Sequence, residues 1–200
     1  FGAIFTFAVP VQAQECTYSY GIWNPSLKRV GRMVRVTKSR VELTAAEIGP
    51  FGCTICKEDQ VLLELSNGLR FHLCERIAGP VMSALEASIE EGYSIVEIVG
   101  YRPSMSRGPV NSRGERTVFS NHAFGVALDV NPQHNGLYSR CLQWGPQCQL
   151  IKGGAWKKGN PLSLHQEHSL VRRLLGLGFK WGGDIAGKQK DMMHFSPTGY

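Results

Sequence analysis

Two separated segments of this chain supply the residue types that bind a catalytic metal ion. One segment contains His122 and Asp129, and the other contains Asp191 and His194. A hydrolytic zinc site needs three protein ligands, drawn from His, Asp, Glu or Cys, and leaves a fourth position open for water. It also needs a base beside that water. We predict that His122, Asp129 and His194 bind zinc and that Asp191 is the base, so the fold has to bring the two segments together.

The residues around Asp129 alternate between bulky and small side chains. From 124 to 130 the bulky residues fall on one face of a strand, and the small residues fall on the other face with Asp129. His122 and Asp129 are seven residues apart, and an odd separation puts two residues on opposite faces of an unbroken strand. We therefore place His122 in the loop before the strand and expect the register to break at Gly125.

These motifs resemble those of a known enzyme family. The patterns S-x-H-x-x-G-x-A-x-D at 120–129 and D-x-x-H-F at 191–195, preceded by Gly100-Tyr101-Arg102, resemble the VanY-type zinc D-alanyl-D-alanine carboxypeptidases. The same family includes L-alanyl-D-glutamate endopeptidases. The resemblance covers roughly residues 60–197.

The resemblance implies both a fold and a chemistry. It implies an α+β fold of the Hedgehog/DD-peptidase type, in which helices pack on one side of an antiparallel sheet and zinc lies in a groove across it. The matching positions give His122, Asp129 and His194 as metal ligands, Asp191 as the catalytic acidic residue and Arg102 as the transition-state arginine. The partners implied are peptidoglycan stem peptides.

Three functions are compatible with these residues. The first candidate is a D-alanyl-D-alanine carboxypeptidase, and the second is an L-alanyl-D-glutamate endopeptidase. The third is a catalytically silent zinc-binding module of the same fold. Because both Asp191 and Arg102 are present, an enzyme is favoured over the silent module.

Further polar residues are candidates for contacting the substrate or orienting the ligands. Residues 103–119 are polar and are predicted to form a loop beside the site, where loops commonly carry substrate contacts. These further candidates are Ser120, Asp184, Arg107, Arg113 and Arg116.

The chain is long enough for one compact domain, and no linker-like stretch divides it. We assign 1–13 to the remnant of a signal peptide, 14–59 to an N-terminal extension and 60–200 to the zinc peptidase domain. The apolar residues 1–13 end in a small-x-small cleavage pattern, and they are too few to span a bilayer, which takes about 20. We expect an exported, monomeric protein of the periplasm or the extracellular space, without a stable membrane span.

Six cysteines follow the proposed cleavage position. An even number of cysteines in an exported chain indicates disulfides, although fifteen pairings are possible. Cys141 and Cys148 flank a short loop and are the most plausible local bridge. The alternative for the others is a zinc knuckle, formed by Cys53, Cys56, His72 and Cys74.

The net charge of +6 and a pI near 9.1 suggest an anionic partner. Nucleic acid, an anionic membrane and the anionic cell wall all satisfy this charge. The basic residues look dispersed and no nucleic-acid motif accompanies them, so we expect no nucleic-acid partner and favour the wall.

The rest of the chain shows patterns of both strands and helices. Apolar runs at 60–65 and 69–73 flank Ser66-Asn67-Gly68, which predicts a hairpin. A helix is predicted from Pro80 to Gly92, followed by a strand at 94–99 and an insertion at 131–162. Ser163 and Gln166 form the pattern of a capping box for a second helix. His165 and His168 are interpreted as surface histidines.

Overall fold

The computed structural model describes residues 15–200, so the predicted signal-peptide remnant at 1–13 lies outside the described part. Two α-helices are present in this part: α1 at Glu75–Glu90 and α2 at Ser169–Gly176. Neither is long and apolar enough to cross a membrane.

The strands of the first half of the fold are β1 Glu15–Asn24, β2 Arg29–Ser39, β3 Gln60–Glu64, β4 Arg70–Cys74, β5 Ile98–Val99, β6 Ser104–Val110 and β7 Arg116–Phe119. The strands of the second half are β8 Leu128–Val130, β9 Leu137–Ser139, β10 Gln149–Lys152, β11 Lys180–Trp181, β12 Lys190–Asp191 and β13 His194–Ser196.

These strands form four small sheets instead of one antiparallel sheet. Their orders are β2-β1-β6-β7, β3-β4, β11-β13-β8-β5 and β10-β9-β12. All pairs are antiparallel except β1 with β6. The mixed, mostly antiparallel architecture with two helices agrees with the predicted α+β class.

The segment at 14–59 is tied into the rest of the chain. Its strand β1 pairs with β6, and disulfides join Cys16 to Cys56 and Cys53 to Cys74. The zinc knuckle proposed for Cys53, Cys56 and Cys74 is therefore wrong, because disulfide sulfurs are not available as thiolate ligands. The predicted bridge between Cys141 and Cys148 is present.

Helix α1 begins five residues before the predicted start. Pro80 lies inside it, on the exposed side, while Val81 and Leu85 are buried. Proline removes one helical hydrogen bond, and on an exposed face water can satisfy the freed carbonyl. Gly92 follows the end of the helix with a φ of 93°, close to the predicted end.

Helix α2 begins at Ser169 and not after Ser163. The Nδ1 of His168 accepts a hydrogen bond from the backbone N–H of Leu170, and so His168 caps the helix. The hydroxyl of Ser163 donates instead to the carbonyl of His134. His168 is half-buried against Tyr93, with ring centroids 4.3 Å apart, so its surface interpretation is wrong.

Two other segments differ from the prediction. Residues 103–119 form the β6–β7 hairpin because β1 supplies a neighbouring strand. The strand predicted at 94–99 is only Ile98–Val99. Before it, the Oδ1 of Asn131 accepts the N–H groups of Val96 and Glu97, which replaces strand pairing there.

The hydrophobic core lies between the helices and the β11-β13-β8-β5 sheet. Leu85 of α1 and Leu170 of α2 are completely buried, as are Leu128 of β8 and Phe195 of β13. Each such side chain contributes about 1.5–3 kcal/mol through its burial. The two strands that carry Asp129 and His194 are thus held in the core.

Candidate metal centre

Asp129 and His194 meet because strands β8 and β13 are neighbours. They are directly opposite residues in the antiparallel register, which places both side chains on the same face of the sheet. The Nδ1 of His194 lies 2.8 Å from the Oδ1 of Asp129. Both residues are buried, with 6% of the Asp129 surface and 5% of the His194 surface exposed.

His122 lies in a short 3-10 turn, Asn121–Phe124, before strand β8, as predicted. Gly125 ends this turn with a φ of 64°, where the register breaks. A Cβ at Gly125 would overlap the side chain of Gln60 and the backbone nitrogen of Cys74. That nitrogen donates to the Gly125 carbonyl at 3.0 Å. Glycine is needed here both for its conformation and for this close approach.

The carbonyl of Gly100 orients the His122 ring. It lies 2.7 Å from the Nδ1 of His122. A carbonyl can only accept a hydrogen bond, so Nδ1 donates to it, and Nε2 is the ring nitrogen that faces the other two ligand candidates. This Nε2 lies 3.2 Å from the Oδ1 of Asp129 and 3.3 Å from the Nδ1 of His194. Such a contact from a carbonyl to a ligand histidine is common around metals.

The three atoms fit a zinc ion. Their separations of 2.8, 3.2 and 3.3 Å are close to the edge of a zinc tetrahedron, about 3.3 Å for bonds of about 2.0 Å. Cys16, Cys56 and Glu58 also lie close together, but both cysteines are in a disulfide. Within residues 15–200, the set of His122, Asp129 and His194 is therefore the one whose ligand atoms are available to an ion.

The electrostatics of the set agree with an anionic ligand between two imidazoles. Burial raises the pKa of Asp129, but the charge and hydrogen bond of His122 and the hydrogen bond of His194 outweigh this and bring the pKa well below its ordinary value. Asp129 therefore remains ionised. Burial lowers the pKa of His194, and the hydrogen bond and charge of Asp129 outweigh it, so that pKa is raised.

Asp191 stands beside the set with an unusual pKa. Strand β12 carries it, and its position in that strand pairs with Leu137 of β9. Its Oδ1 is buried without a hydrogen-bond partner. Burial, together with the charge of Asp129, raises its pKa to about 6, although His194 and Lys152 act in the opposite direction. A carboxyl group in this range can exchange a proton near neutral pH.

Residues 113–197 match a protein-family model described as D-alanyl-D-alanine carboxypeptidase. The matched segment covers less than half of the chain, but it contains His122, Asp129, Asp191 and His194. Comparisons with curated proteins and with solved structures gave no match. The match supports a peptidase of the peptidoglycan-related type and is compatible with a metal at the His/Asp/His set.

Arg102 lies outside the matched segment but next to it in space. Its backbone N–H donates to the His122 carbonyl at 2.9 Å, and its side chain is exposed. The preceding Tyr101 donates its N–H to the carbonyl of His72 at 2.7 Å. A Cβ at Gly100 would overlap the same carbonyl, so the motif Gly100-Tyr101-Arg102 requires glycine there.

The three other arginines are engaged elsewhere. The Nη1 of Arg107 donates to the backbone oxygen of Tyr200 at 2.8 Å. Arg113 pairs with Glu115 at 3.0 Å within its own hairpin, and Arg116 donates to the carbonyl of Gly108. The predicted loop at 103–119 is a hairpin instead, with Arg107 and Arg116 in its strands and Arg113 in its turn.

Ser120 and Asp184 take different positions. Ser120 is buried at the start of the turn that carries His122, where its backbone donates to Ser104 and accepts from Ala123. Asp184 is exposed and borders a surface cavity of about 400 Å³, which Trp181 and Tyr200 also line.

Sequence analysis missed Lys152, whose charge acts on Asp191. Lys152 lies in β10, which reaches Asp191 only through the pairings of β10 with β9 and of β9 with β12. No local pattern near Lys152 reveals these pairings. The role of the Gly100 carbonyl was missed for the same reason.

Proposed function

We propose that this chain is a zinc-dependent carboxypeptidase that removes the terminal D-alanine from peptidoglycan stem peptides ending in D-alanyl-D-alanine. The observation that carries this proposal is the convergence of the His122 Nε2, the Asp129 Oδ1 and the His194 Nδ1 at tetrahedral spacing, with Asp191 beside them. The description of the matching family model supports the substrate class.

His122, Asp129 and His194 would hold the ion. When bound, zinc supplies a water of lowered pKa and a positive charge that polarises the scissile carbonyl. Asp129 contributes a negative charge because its pKa is held low. The Gly100 carbonyl holds the Nδ1 side of the His122 ring, which turns Nε2 toward the position of the ion.

Asp191 would move the proton. Its carboxylate accepts a proton from the attacking water and returns it to the departing amine of D-alanine. A group whose pKa lies near the working pH performs both transfers well. The pKa of about 6 meets that requirement. The buried Oδ1 has no hydrogen-bond partner, so it is free to accept the proton.

Arg102 would stabilise the oxyanion. Its guanidinium would offer two N–H donors to the negative oxygen that develops on the scissile carbonyl, and such donors lower the activation barrier by about several kcal/mol. The bond from its backbone to His122 fixes the start of the side chain near the ligand set, and the exposed side chain is free to meet a substrate.

Export is part of the proposal. The described residues contain three disulfides and no free cysteine, which is consistent with an oxidising compartment. Peptidoglycan lies in such a compartment, so the disulfides and the proposed substrate agree.

Digestion of purified muropeptides, followed by mass spectrometry, tests the proposal. The expected product has lost one terminal alanine, and His194→Ala should leave the substrate intact. Cleavage between L-alanine and D-glutamate would show that the endopeptidase is the correct candidate. A zinc-loaded chain that cuts neither bond would favour the silent zinc-binding module.

A further inference from the structure

The net positive charge of this chain is concentrated in one hairpin. Residues 16–41 contain six basic residues and no acidic one, whereas the rest of the chain contains sixteen of each sign. The whole net charge of +6 therefore resides in a segment that consists almost entirely of β1, β2 and their turn. The basic residues are spread along the whole chain, but their excess over acidic residues is confined to this segment.

Half of these cations have no carboxylate partner. Three form ion pairs: Arg32 with Glu115, Lys38 with Glu47 and Arg40 with Asp59. Within 15–200, the other three, Lys28, Arg29 and Arg35, form no ion pair, and all three are exposed. Their charge is available to an external anion.

Apolar side chains are interleaved with these cations. Leu27, Val30 and Met33 are 55%, 47% and 65% exposed. Val30 and Met33 lie side by side over Gly21 of β1, where the absence of a side chain leaves room for them. Trp23 is half-buried and pairs with Val30 across the hairpin. The tip of the hairpin therefore presents an apolar and aromatic surface surrounded by positive charge.

This combination selects among anionic partners. A soluble polyanion such as nucleic acid or a wall polymer would use the cations and leave the apolar side chains in water. An anionic bilayer satisfies both features, because its head groups attract Lys and Arg while its interface accepts Leu, Val, Met and Trp. Strand β2 is also the edge strand of its sheet, so it pairs with β1 on one side and with no strand on its other side.

We propose that the β1–β2 hairpin docks this protein on the surface of an anionic lipid bilayer. Lys28, Arg29 and Arg35 contact the phosphate groups of the lipids, and Leu27, Val30 and Met33 enter the interface. The contact is peripheral and reversible. It does not depend on the peptidase assignment, because none of these residues belongs to the metal centre.

Vesicle co-sedimentation of the full chain tests the proposal. The wild type is expected to sediment with vesicles of equal parts phosphatidylcholine and phosphatidylglycerol, and not with phosphatidylcholine alone. The triple variant Lys28→Glu, Arg29→Glu, Arg35→Glu should bind about 100-fold more weakly, since each cation near such a surface contributes a factor of about five. The matched control is Lys157→Glu, Lys158→Glu, Arg172→Glu, which changes three exposed cations elsewhere and should bind like the wild type.

A second variant separates a bilayer from a soluble polyanion. Leu27→Ser, Val30→Ser, Met33→Ser keeps every charge, and it should lose at least tenfold in vesicle binding. Normal vesicle binding by this variant, or full displacement of the wild type from vesicles by soluble polyphosphate at equal phosphate concentration, would identify a polyanion surface and overturn the proposal. Absence of wild-type binding to the anionic vesicles would also overturn it. Circular dichroism of each variant confirms that it is folded.

Discussion

The Oδ1 of Asp129 lies 2.8 Å from the Nδ1 of His194, across two adjacent strands of one small sheet. The two residues are directly opposite each other, so the backbone ladder fixes the separation of their Cβ atoms and brings both side chains to one face. His122 completes the set from a turn whose shape depends on Gly125. The ligand set is thus preorganised by two different parts of the fold.

The turn at Gly125 can be tested by adding a single methyl group. Gly125→Ala is expected to destabilise the fold by about 3 kcal/mol or more, because it combines a positive φ with overlap onto Gln60 and Cys74. Gly159→Ala is the matched control, since Gly159 has a φ of 83° and open space around it. Its cost should be only about 1–2 kcal/mol. Chemical denaturation measures both, and equal costs would refute the role of the overlap.

Asp191 is expected to be needed for turnover but not for metal binding. Asp191→Asn keeps the size of the side chain and removes its ability to take up a proton, so kcat should fall about 100-fold or more while zinc content stays unchanged. Glu90→Gln, in an exposed carboxylate of helix α1, is the control and should remain close to the wild type. Near-normal kcat in Asp191→Asn would exclude it as the base.

The arginines are expected to differ in importance. Arg102→Ala should lower kcat about 100-fold through loss of oxyanion stabilisation, while its backbone contact with His122 is retained. Arg113→Ala should have little effect because that side chain pairs with Glu115 in its own hairpin. Steady-state kinetics on a D-alanyl-D-alanine peptide compares the two, and a larger loss in Arg113→Ala would contradict the assignment.

Glu47 predicts how stability responds to acid. Burial raises its pKa, but hydrogen bonds from Lys38, Tyr18 and Thr44 outweigh burial and lower the pKa to about 2. Because the folded pKa lies below the unfolded value, this stabilisation is fully present above about pH 4.5 and is lost as the pH falls through about 2. It amounts to about 3 kcal/mol at neutral pH.

Glu47→Gln should therefore lower the free energy of unfolding at pH 7 and flatten its fall between about pH 4.5 and 2. Tyr18→Phe removes one of the three hydrogen-bonding partners and should give a smaller change in the same direction. Denaturation at a series of pH values measures the slope. An unchanged slope in Glu47→Gln would show that other groups control the acid response.

The grouping of His122, Asp129 and His194 was predictable from sequence because residue type and spacing carry the chemistry of a possible metal site. The odd separation of His122 and Asp129 correctly placed His122 before the strand. What could not be predicted is that Asp129 pairs with His194, because register between strands distant in sequence is decided by tertiary packing. The Gly100 carbonyl and Lys152 act through the same kind of distant pairing.

The errors in the fold have a common cause. Residues 103–119 look like a polar loop because their exposed strands lack apolar alternation, and only the presence of β1 makes them a hairpin. Pro80 looks like a helix start because the pattern before it contains no cap, yet burial of Ile77 and Ala78 extends the helix backwards. The capping pattern at Ser163 fails because the Ser163 oxygen accepts instead from the backbone N–H of Lys157, while the hydroxyl donates to the carbonyl of His134. In each case tertiary contacts override local preference.

Measuring zinc content tests most directly the central claim that His122, Asp129 and His194 bind the ion. Elemental analysis of the purified wild type should find one zinc per chain, and His122→Ala and His194→Ala should each lose it. His165→Ala is the control, because His165 is exposed and remote in sequence from the ligands, and it should retain the metal. Full zinc occupancy in His122→Ala or His194→Ala, or a folded wild type that binds no zinc when the ion is supplied, would contradict the account.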